Sequence, residues 1–357
     1  MKFKKMLTVF SSLALAVTLS ACGSNNTSTD SPSVTEGSQQ TEAEAKNDKD
    51  AKKIAVLLYQ ADDTYIASVR QELEKIDKED PSIEFVFSDG QNNQGTQTDQ
   101  INNVVSQGVD GILLNIVDVK AASTAMSTIE AQKIPTVFFN RDMTESLDES
   151  KADEFLFVGT NADEAGVMQG EMLADLWEKG EMDRNGNGKL DYVMLNGGVD
   201  NPEAKARTEY SVKTLKDKGI EVNEIALQDC AWETEKAKTA MDSWLQTDQD
   251  NIDAVISNND GMAIGAITSL QAVGFNKGDD EAKMIPVVGV DATEQAKEAI
   301  SKNTMYGTVL QDAKGMAEAC SKAIKNKIDG KDWTDGTDLK LAEDKVSIRV
   351  PYQKYEK

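Results

Sequence analysis

From Lys52 onward, short apolar runs alternate with longer stretches in which apolar side chains recur every three or four positions. Residues 54–59, 83–88, 111–115 and 136–140 read as strands, continuous enough in apolar residues to be buried on both faces. Between them, 65–78 (with Val69, Leu73 and Ile76 on one face), 97–107 and 122–132 read as amphipathic helices. A second series begins near Asp163. It predicts helices over 166–178, 204–218, 233–247 and 261–273, and strands over 192–195, 222–227, 254–258, 287–290 and 307–310. Strand–helix alternation implies parallel sheets covered by helices on both faces, and two series of domain size imply two such lobes. The chain is expected to return to the first lobe near Asp312 through a helix over 314–326, with Val350-Pro351-Tyr352 as a last crossing. The expected division is 52–159 with 313–348 for the first lobe, and 160–312 with 349–357 for the second.

The amino-terminal segment changes the picture of where this body works. Lys2, Lys4 and Lys5 precede an apolar stretch over 6–19, which is short of the roughly 20 residues a membrane span needs. Leu19-Ser20-Ala21-Cys22 follows, a lipobox pattern. Residues 1–21 therefore read as a lipoprotein signal peptide, with Cys22 as the lipidation site. An acyl chain contributes about 0.8 kcal/mol per buried methylene. Residues 22–51 are Ser, Thr, Asn, acids and Lys with almost no large apolar side chain, and read as a disordered tether. The expected location is the extracytoplasmic face of the cell membrane, held by lipid.

The formal net charge is −24, and losing the signal segment with its three lysines and no acids takes it to −27. A nucleic-acid partner, which needs basic surface, is excluded. There is no histidine, which removes the commonest general base, the Ser-His and Cys-His nucleophile pairs and the commonest zinc ligand. Cys230 and Cys320 read as free or buried thiols, with a disulfide as the alternative.

Asp183-Arg184-Asn185-Gly186-Asn187-Gly188-Lys189-Leu190-Asp191 carries oxygen side chains at loop positions one, three, five and nine. Gly188 holds position six and Lys189 offers its carbonyl at position seven, as in the first part of an EF-hand calcium loop. Position twelve is Met194, and the following residues read as a strand, so the last carboxylate has to come from elsewhere in the chain.

In open parallel sheets ligands bind beyond the carboxyl ends of the strands. Those ends here are 59–65, Asn115, Asn140-Arg141, 196–207, Asn258-Asn259-Asp260, Asp291 and Gln311-Asp312. Most are carboxylates, amides and guanidinium groups, joined by Tyr65 and Trp232. Planar polar groups satisfy hydroxyls in fixed directions and aromatic faces pack on C–H groups, so the mixture suits a sugar. No phosphate-cradling glycine loop stands at the first strand–helix turn.

With these residues placed, the chain resembles the bacterial galactose/glucose-binding proteins of sugar ABC importers over nearly all of 52–357. The segments that carry the resemblance are Tyr59-Gln60-Ala61-Asp62-Asp63-Thr64-Tyr65, Asn115-Ile116-Val117-Asp118, Pro135-Thr136-Val137-Phe138-Phe139-Asn140, the calcium-like loop, Ala204-Lys205-Ala206-Arg207-Thr208, Ala231-Trp232, Asn258-Asn259-Asp260 and Gly289-Val290-Asp291-Ala292. The resemblance implies a type I periplasmic binding protein fold, two α/β doubly wound parallel-sheet lobes joined by three hinge crossings. It implies that Asp63, Asn115, Arg207, Asn259 and Asp291 hydrogen-bond a hexose and that Tyr65 and Trp232 sandwich its ring. Asn201, Glu203 and Gln311 stand where the family usually has His, Asp and Asn, and join the sugar-binding set. Asp62 reads as a surface acid. A structural Ca²⁺ is implied on Asp183, Asn185, Asn187, the Lys189 carbonyl and Asp191, with Asp253 at the family's remote acid position. The expected function is a monomeric, lipid-anchored receptor that delivers a galactose- or glucose-type hexose to an ABC permease, with no catalytic residue. The alternatives are a sensor presenting hexose to a membrane kinase or chemoreceptor, and a glycosidase using Asp63 and Asp291.

Overall fold

The computed structural model describes residues 51–356 apart from 181 and 281–282. The signal segment, Cys22 and the tether up to residue 50 lie outside the described residues. Among the described residues no helix is long and apolar enough to cross a membrane.

The apolar runs form two six-stranded sheets. In the first lie β1 (Lys52–Leu58), β2 (Ile83–Asp89), β3 (Gly111–Leu114), β4 (Thr136–Phe139), β5 (Phe155–Gly159) and β11 (Ser347–Arg349). Their order is β11-β5-β4-β3-β1-β2 and every pairing is parallel. In the second lie β6 (Leu190–Asn196), β7 (Val222–Asp229), β8 (Ala254–Ser257), β9 (Val287–Asp291), β10 (Gly307–Leu310) and β12 (Gln353–Glu356), in the order β12-β10-β9-β8-β6-β7.

Each sheet has an apolar layer on both faces. In the first lobe, α1 (Thr64–Glu79) and α9 (Ala313–Ile328) cover one face, and α2 (Gln94–Gln107) with α3 (Ala122–Glu130) the other. In the second, α6 (Thr234–Asp248), α7 (Asp260–Ala272) and α8 (Glu294–Ser301) cover one face, and α4 (Ala162–Glu178) with α5 (Pro202–Asp217) the other. The chain crosses between lobes three times, at 160–161 from β5 to α4, at 311–312 from β10 to α9, and at 350–352 from β11 to β12. The two doubly wound lobes and the three crossings are those the sequence implies.

Several elements differ from the sequence expectation. β12 runs antiparallel to β10, so the second sheet is mixed at one edge. Its four residues are all exposed, and a strand without a buried face leaves no apolar pattern to find. β5 falls between the two expected series. β11 is three residues long, and α8 is a single short helix with only Ala296, Ala299 and Ile300 buried. Cys230 and Cys320 are free and buried in the cores of different lobes, which rules out the disulfide alternative.

Two glycines one turn apart let α4 lie directly on α5. A Cβ at Gly166 would stand 2.9 Å from the Arg207 carbonyl oxygen, and one at Gly170 would stand 2.5 Å from that of Ser211. Both obstacles are backbone, so neither can rotate away. Gly170→Ala should therefore cost roughly 1–3 kcal/mol of stability through overpacking. Urea unfolding at constant slope, with the midpoint unchanged, would show that the contact tolerates a methyl group.

Candidate functional site

All strands of a parallel sheet end on the same edge, so the helices that follow them begin there too. The two lobes turn these edges toward each other, and several cleft residues are helix N-caps. Asp63 caps α1, its Oδ1 accepting from the N–H groups of Tyr65 and Ile66 at 3.0 and 2.9 Å. Asn201 caps α5 through the Ala204 N–H at 2.9 Å, with Pro202 at the first helical position. Asn259 caps α7 through the Met262 N–H at 2.9 Å.

A cavity of about 350 Å³, including its open mouth, lies between the lobes. Tyr59, Asp63, Tyr65, Asn140 and Arg141 line it from the first lobe. Asn201, Glu203, Arg207, Trp232, Asn259 and Asp291 line it from the second, and Gln311 from the second crossing. The lobes also touch beside it: Glu203 Oε1 accepts from the Asp142 N–H at 2.6 Å, and Lys120 Nζ stands 3.6 Å from Asp200 Oδ2.

Nine of the ten residues expected from the sequence to bind sugar line this cavity. Asn115 does not. It is fully buried beneath the first-lobe wall, where its Oδ1 accepts from the Tyr59 N–H and its Nδ2 donates to Phe139 O and Asn140 Oδ1. It therefore positions two wall residues in this structure. Tyr59, Asn140 and Arg141 line the wall without having been assigned a role. Their positions at strand ends were the available signal. Arg141 stacks 3.6 Å from the centre of the Tyr59 ring and donates to Val117 O.

Left-handed backbone helps aim the wall: φ is +67° at Asn140, +66° at Trp232 and +124° at Asp291. Such conformations in non-glycine residues persist where surrounding structure over-determines them. A Cβ at Gly197 would stand 2.4 Å from the Trp232 indole, so only glycine leaves room for that ring.

Charge is concentrated and buried here. Arg207, 3% exposed, donates from Nη1 to Asn258 O at 2.8 Å and from Nη2 to Gln311 Oε1 at 2.7 Å and Tyr352 Oη at 2.8 Å. Among the described residues its Nε has no partner, and neither do Tyr65 Oη, Glu203 Oε2, Asp291 Oδ2 and Gln311 Nε2. Burial raises the Glu203 carboxyl, and the Asp142 N–H and Arg207 partly offset it. Burial first, and then the neighbouring Asp260, hold Asp291 well above the usual carboxylate range, against the pull of Arg207. Burial also pushes Asp260 up to about 7, although Thr308 Oγ1 and the Thr293 N–H donate to it. Asp63 has both oxygens occupied, Oδ2 accepting from Tyr59 Oη at 2.6 Å. Three donors thus hold its carboxylate in place at the wall.

The 183–191 loop lies at the opposite end of β6 from the cleft, about 20 Å away at 3.3 Å per strand residue. Asp183 accepts from the N–H groups of Gly186, Asn187 and Gly188 at 2.8, 3.1 and 2.9 Å. Asn185 and Asn187 both donate to Asp191 Oδ2, at 2.8 and 2.7 Å. The buried Asp253 accepts from the N–H groups of Arg184 and Asp191, both at 2.9 Å. Burial, and beyond it the charges of Asp191 and Asp183, raise the Asp253 carboxyl. Two neighbouring acids thus act on the third, and the donor set is all oxygen, which fits a hard cation in kind. As they stand, the two amides offer N–H to Asp191, and among the described residues no three acidic groups are gathered at ligand distance.

Two α/β lobes that share three crossings and bury a polar cleft between strand ends define the type I periplasmic binding protein class. Residues 54–332 match the periplasmic binding protein domain family, and the chain belongs to that family. It is similar to the D-galactose/methyl-galactoside binding periplasmic protein MglB of Haemophilus influenzae, 35% identical over 302 residues, 84% of this chain and 88% of that one. A putative rhizopine-binding protein of Rhizobium meliloti is 31% identical, with 74% of this chain and 82% of that one aligned. A solved ABC transporter solute binding protein from Bacillus halodurans with bound myo-inositol superposes with a TM-score of 0.70 at 27% identity, covering 87% of this chain and 96% of that one.

The raised carboxyls set a pH dependence. A group protonated more in the folded than in the unfolded chain stabilises most below the unfolded value, near 4, and that contribution disappears as pH rises through the folded value. Melting temperature of the ligand-free protein should thus fall between pH about 4 and about 7 through Asp260, with Asp291 acting in the same direction. Asp260→Asn should flatten this slope, since an amide can still accept from the Thr293 N–H. An identical slope in the variant would place the titration elsewhere.

Proposed function

We propose that this protein is a lipid-anchored extracytoplasmic receptor that binds a galactose- or glucose-type hexose between its lobes and delivers it to an ABC permease. The observation that carries the reading is the set of five buried cleft atoms without a protein partner. Glu203 Oε2 accepts, Arg207 Nε and Gln311 Nε2 donate, and Tyr65 Oη and the raised Asp291 carboxyl do either. Leaving each unpaired costs about 1–3 kcal/mol. A ring of hydroxyls, each both donor and acceptor, answers the whole set. A phosphate only accepts and meets two carboxylates, while an ammonium only donates and leaves Arg207 and Gln311 unanswered.

Trp232 and Tyr65 supply the ring faces for the C–H surface of the sugar. The names of relatives support the class: one binds D-galactose, and one holds myo-inositol and belongs to an ABC transporter. The lipid anchor rests on the Leu19-Ser20-Ala21-Cys22 pattern. Calorimetric titration against a panel of monosaccharides tests the reading. One-to-one binding of galactose or glucose is expected, and absence of heat with every hexose would refute it. Trp232→Ala should weaken hexose binding by several kcal/mol, because buried aromatic faces carry much of a site's contact area. An unchanged dissociation constant would remove Trp232 from the site.

A structural Ca²⁺ on Asp183, Asn185, Asn187, the Lys189 carbonyl, Asp191 and Asp253 belongs to the same proposal. When bound, the ion neutralises the mutually repelling acids and pins the loop. Binding to the native loop alone adds about 2.7 kcal/mol at a hundredfold excess over Kd. Chelation should lower the melting temperature and leave hexose affinity nearly intact, because the loop sits at the far end of β6. Asp183→Ala should melt at the chelated temperature with or without Ca²⁺. Identical wild-type melting in excess chelator and in millimolar-range Ca²⁺ would dismiss the ion.

A further inference from the structure

The three crossings between the lobes meet at one phenol. Tyr352, in the third crossing, is buried and does not line the cavity. Its hydroxyl accepts from Thr160 Oγ1 of the first crossing at 2.8 Å and from Arg207 Nη2 at 2.8 Å. It donates a long bond, 3.5 Å, to Gln311 Oε1 of the second crossing, which also accepts from Arg207 Nη2 at 2.7 Å. Thr160 is also tied to the strand that leads into the third crossing, its carbonyl accepting from Arg349 Nη1 of β11 at 2.9 Å.

A guanidinium is a rigid plane. Asn258 O holds one corner of Arg207, and Tyr352 with Gln311 holds the second. Fixing two corners fixes the direction of the third, Nε, which is the atom without a protein partner. Two of the three anchors belong to crossings, the segments that absorb backbone rotation when such lobes open and close. Hydrogen bonds weaken steeply with misalignment, so the aim of Nε follows the arrangement of the crossings.

We propose that Tyr352 is a positioning residue, coupling the arrangement of the three crossings to the grip of Arg207 on the ligand. The proposal rests on the cleft being the hexose site. A Phe at this position would fill the same volume without the hydroxyl, and a Val at position 160 would keep the branched shape of Thr without its donor.

The test uses Tyr352→Phe and Thr160→Val in the full chain, with D-galactose and D-glucose as probes. Stopped-flow tryptophan fluorescence should show dissociation faster by about tenfold in Tyr352→Phe, which loses a charge-assisted hydrogen bond, and by roughly three- to fivefold in Thr160→Val, which loses a neutral one, with association within about twofold of the wild type in both, since encounter takes place with the open form. Solution scattering of the ligand-free variants should report a more open particle than the wild type, because the crossings lose a shared tie. Dissociation within about twofold of the wild type in both variants overturns the proposal, and so does slower association with unchanged dissociation. Thr160→Val keeps the test decisive if Tyr352→Phe does not fold. If the wild type binds neither sugar, the hexose reading fails, and scattering curves then decide the positioning role: curves identical to the wild type overturn it.

Discussion

A guanidinium buried between two lobes must have its charge and its N–H groups answered, and that requirement organises this protein. An unpaired buried charge costs several kcal/mol, so Arg207 is tolerable only where acceptors converge on it. They come from the end of β8 (Asn258 O), from the second crossing (Gln311) and from the third (Tyr352). The carboxyls of Asp291 and Glu203 also stand nearby and favour its charge when they are ionised. No single element could supply this shell. It exists because two sheets end on the same edge and the chain crosses three times between them, so the cleft and the hinge are one construction.

The caps extend the same logic. In each parallel sheet the helix N-termini gather at the strand ends, and their first-turn N–H groups need acceptors. Asp63, Asn201 and Asn259 provide them and are thereby locked in rotamer at the wall of the cavity. Groups held this way lose little freedom when a ligand arrives, which is where affinity in a small polar site comes from. The left-handed backbone at Asn140, Trp232 and Asp291 is a second form of preorganisation.

Much of this was legible in the sequence, for definite reasons. Apolar runs such as Ile54 to Leu58 announce strands buried on both faces, and a parallel sheet dictates where ligands sit, so the strand-end residues form a short candidate set. The cavity collects Asp63, Arg207, Trp232 and Asp291 from it. Burial direction at a strand end was not legible. Asn115 ends β3 as Asn140 ends β4, yet its amide turns inward to the Tyr59 N–H while Asn140 reaches the cavity. Tyr59 and Arg141 stand at strand ends the sequence marks, but the stacking that fixes them in the wall joins residues far apart in the chain and leaves no local pattern. The exposed β12 and the partnership of Thr160 with Tyr352 leave no periodic trace, since they depend on tertiary meeting points rather than on local pattern.

Among the described residues, buried polar atoms without a partner gather in the cleft. Five of its buried polar atoms have no protein partner, and two carboxyls near one another are pushed up in pKa by burial. Each of these features costs stability in the ligand-free protein, and the apolar layers on both faces of both sheets offset that cost. A ligand that answers the five atoms returns the energy as binding, so occupancy and stability rise together. The same unsatisfied set explains how one fold can discriminate among solutes. Rejection comes from any solute that leaves a donor or an acceptor unanswered, at about 1–3 kcal/mol for each such atom. A one-methylene difference, as in Glu203 or Gln311, acts on specificity through this term. Glu203 shows the consequence. Its side chain reaches the Asp142 N–H across the cleft with Oε1 and leaves Oε2 in the cavity. One carboxylate therefore takes part both in holding the lobes together and in choosing what they hold.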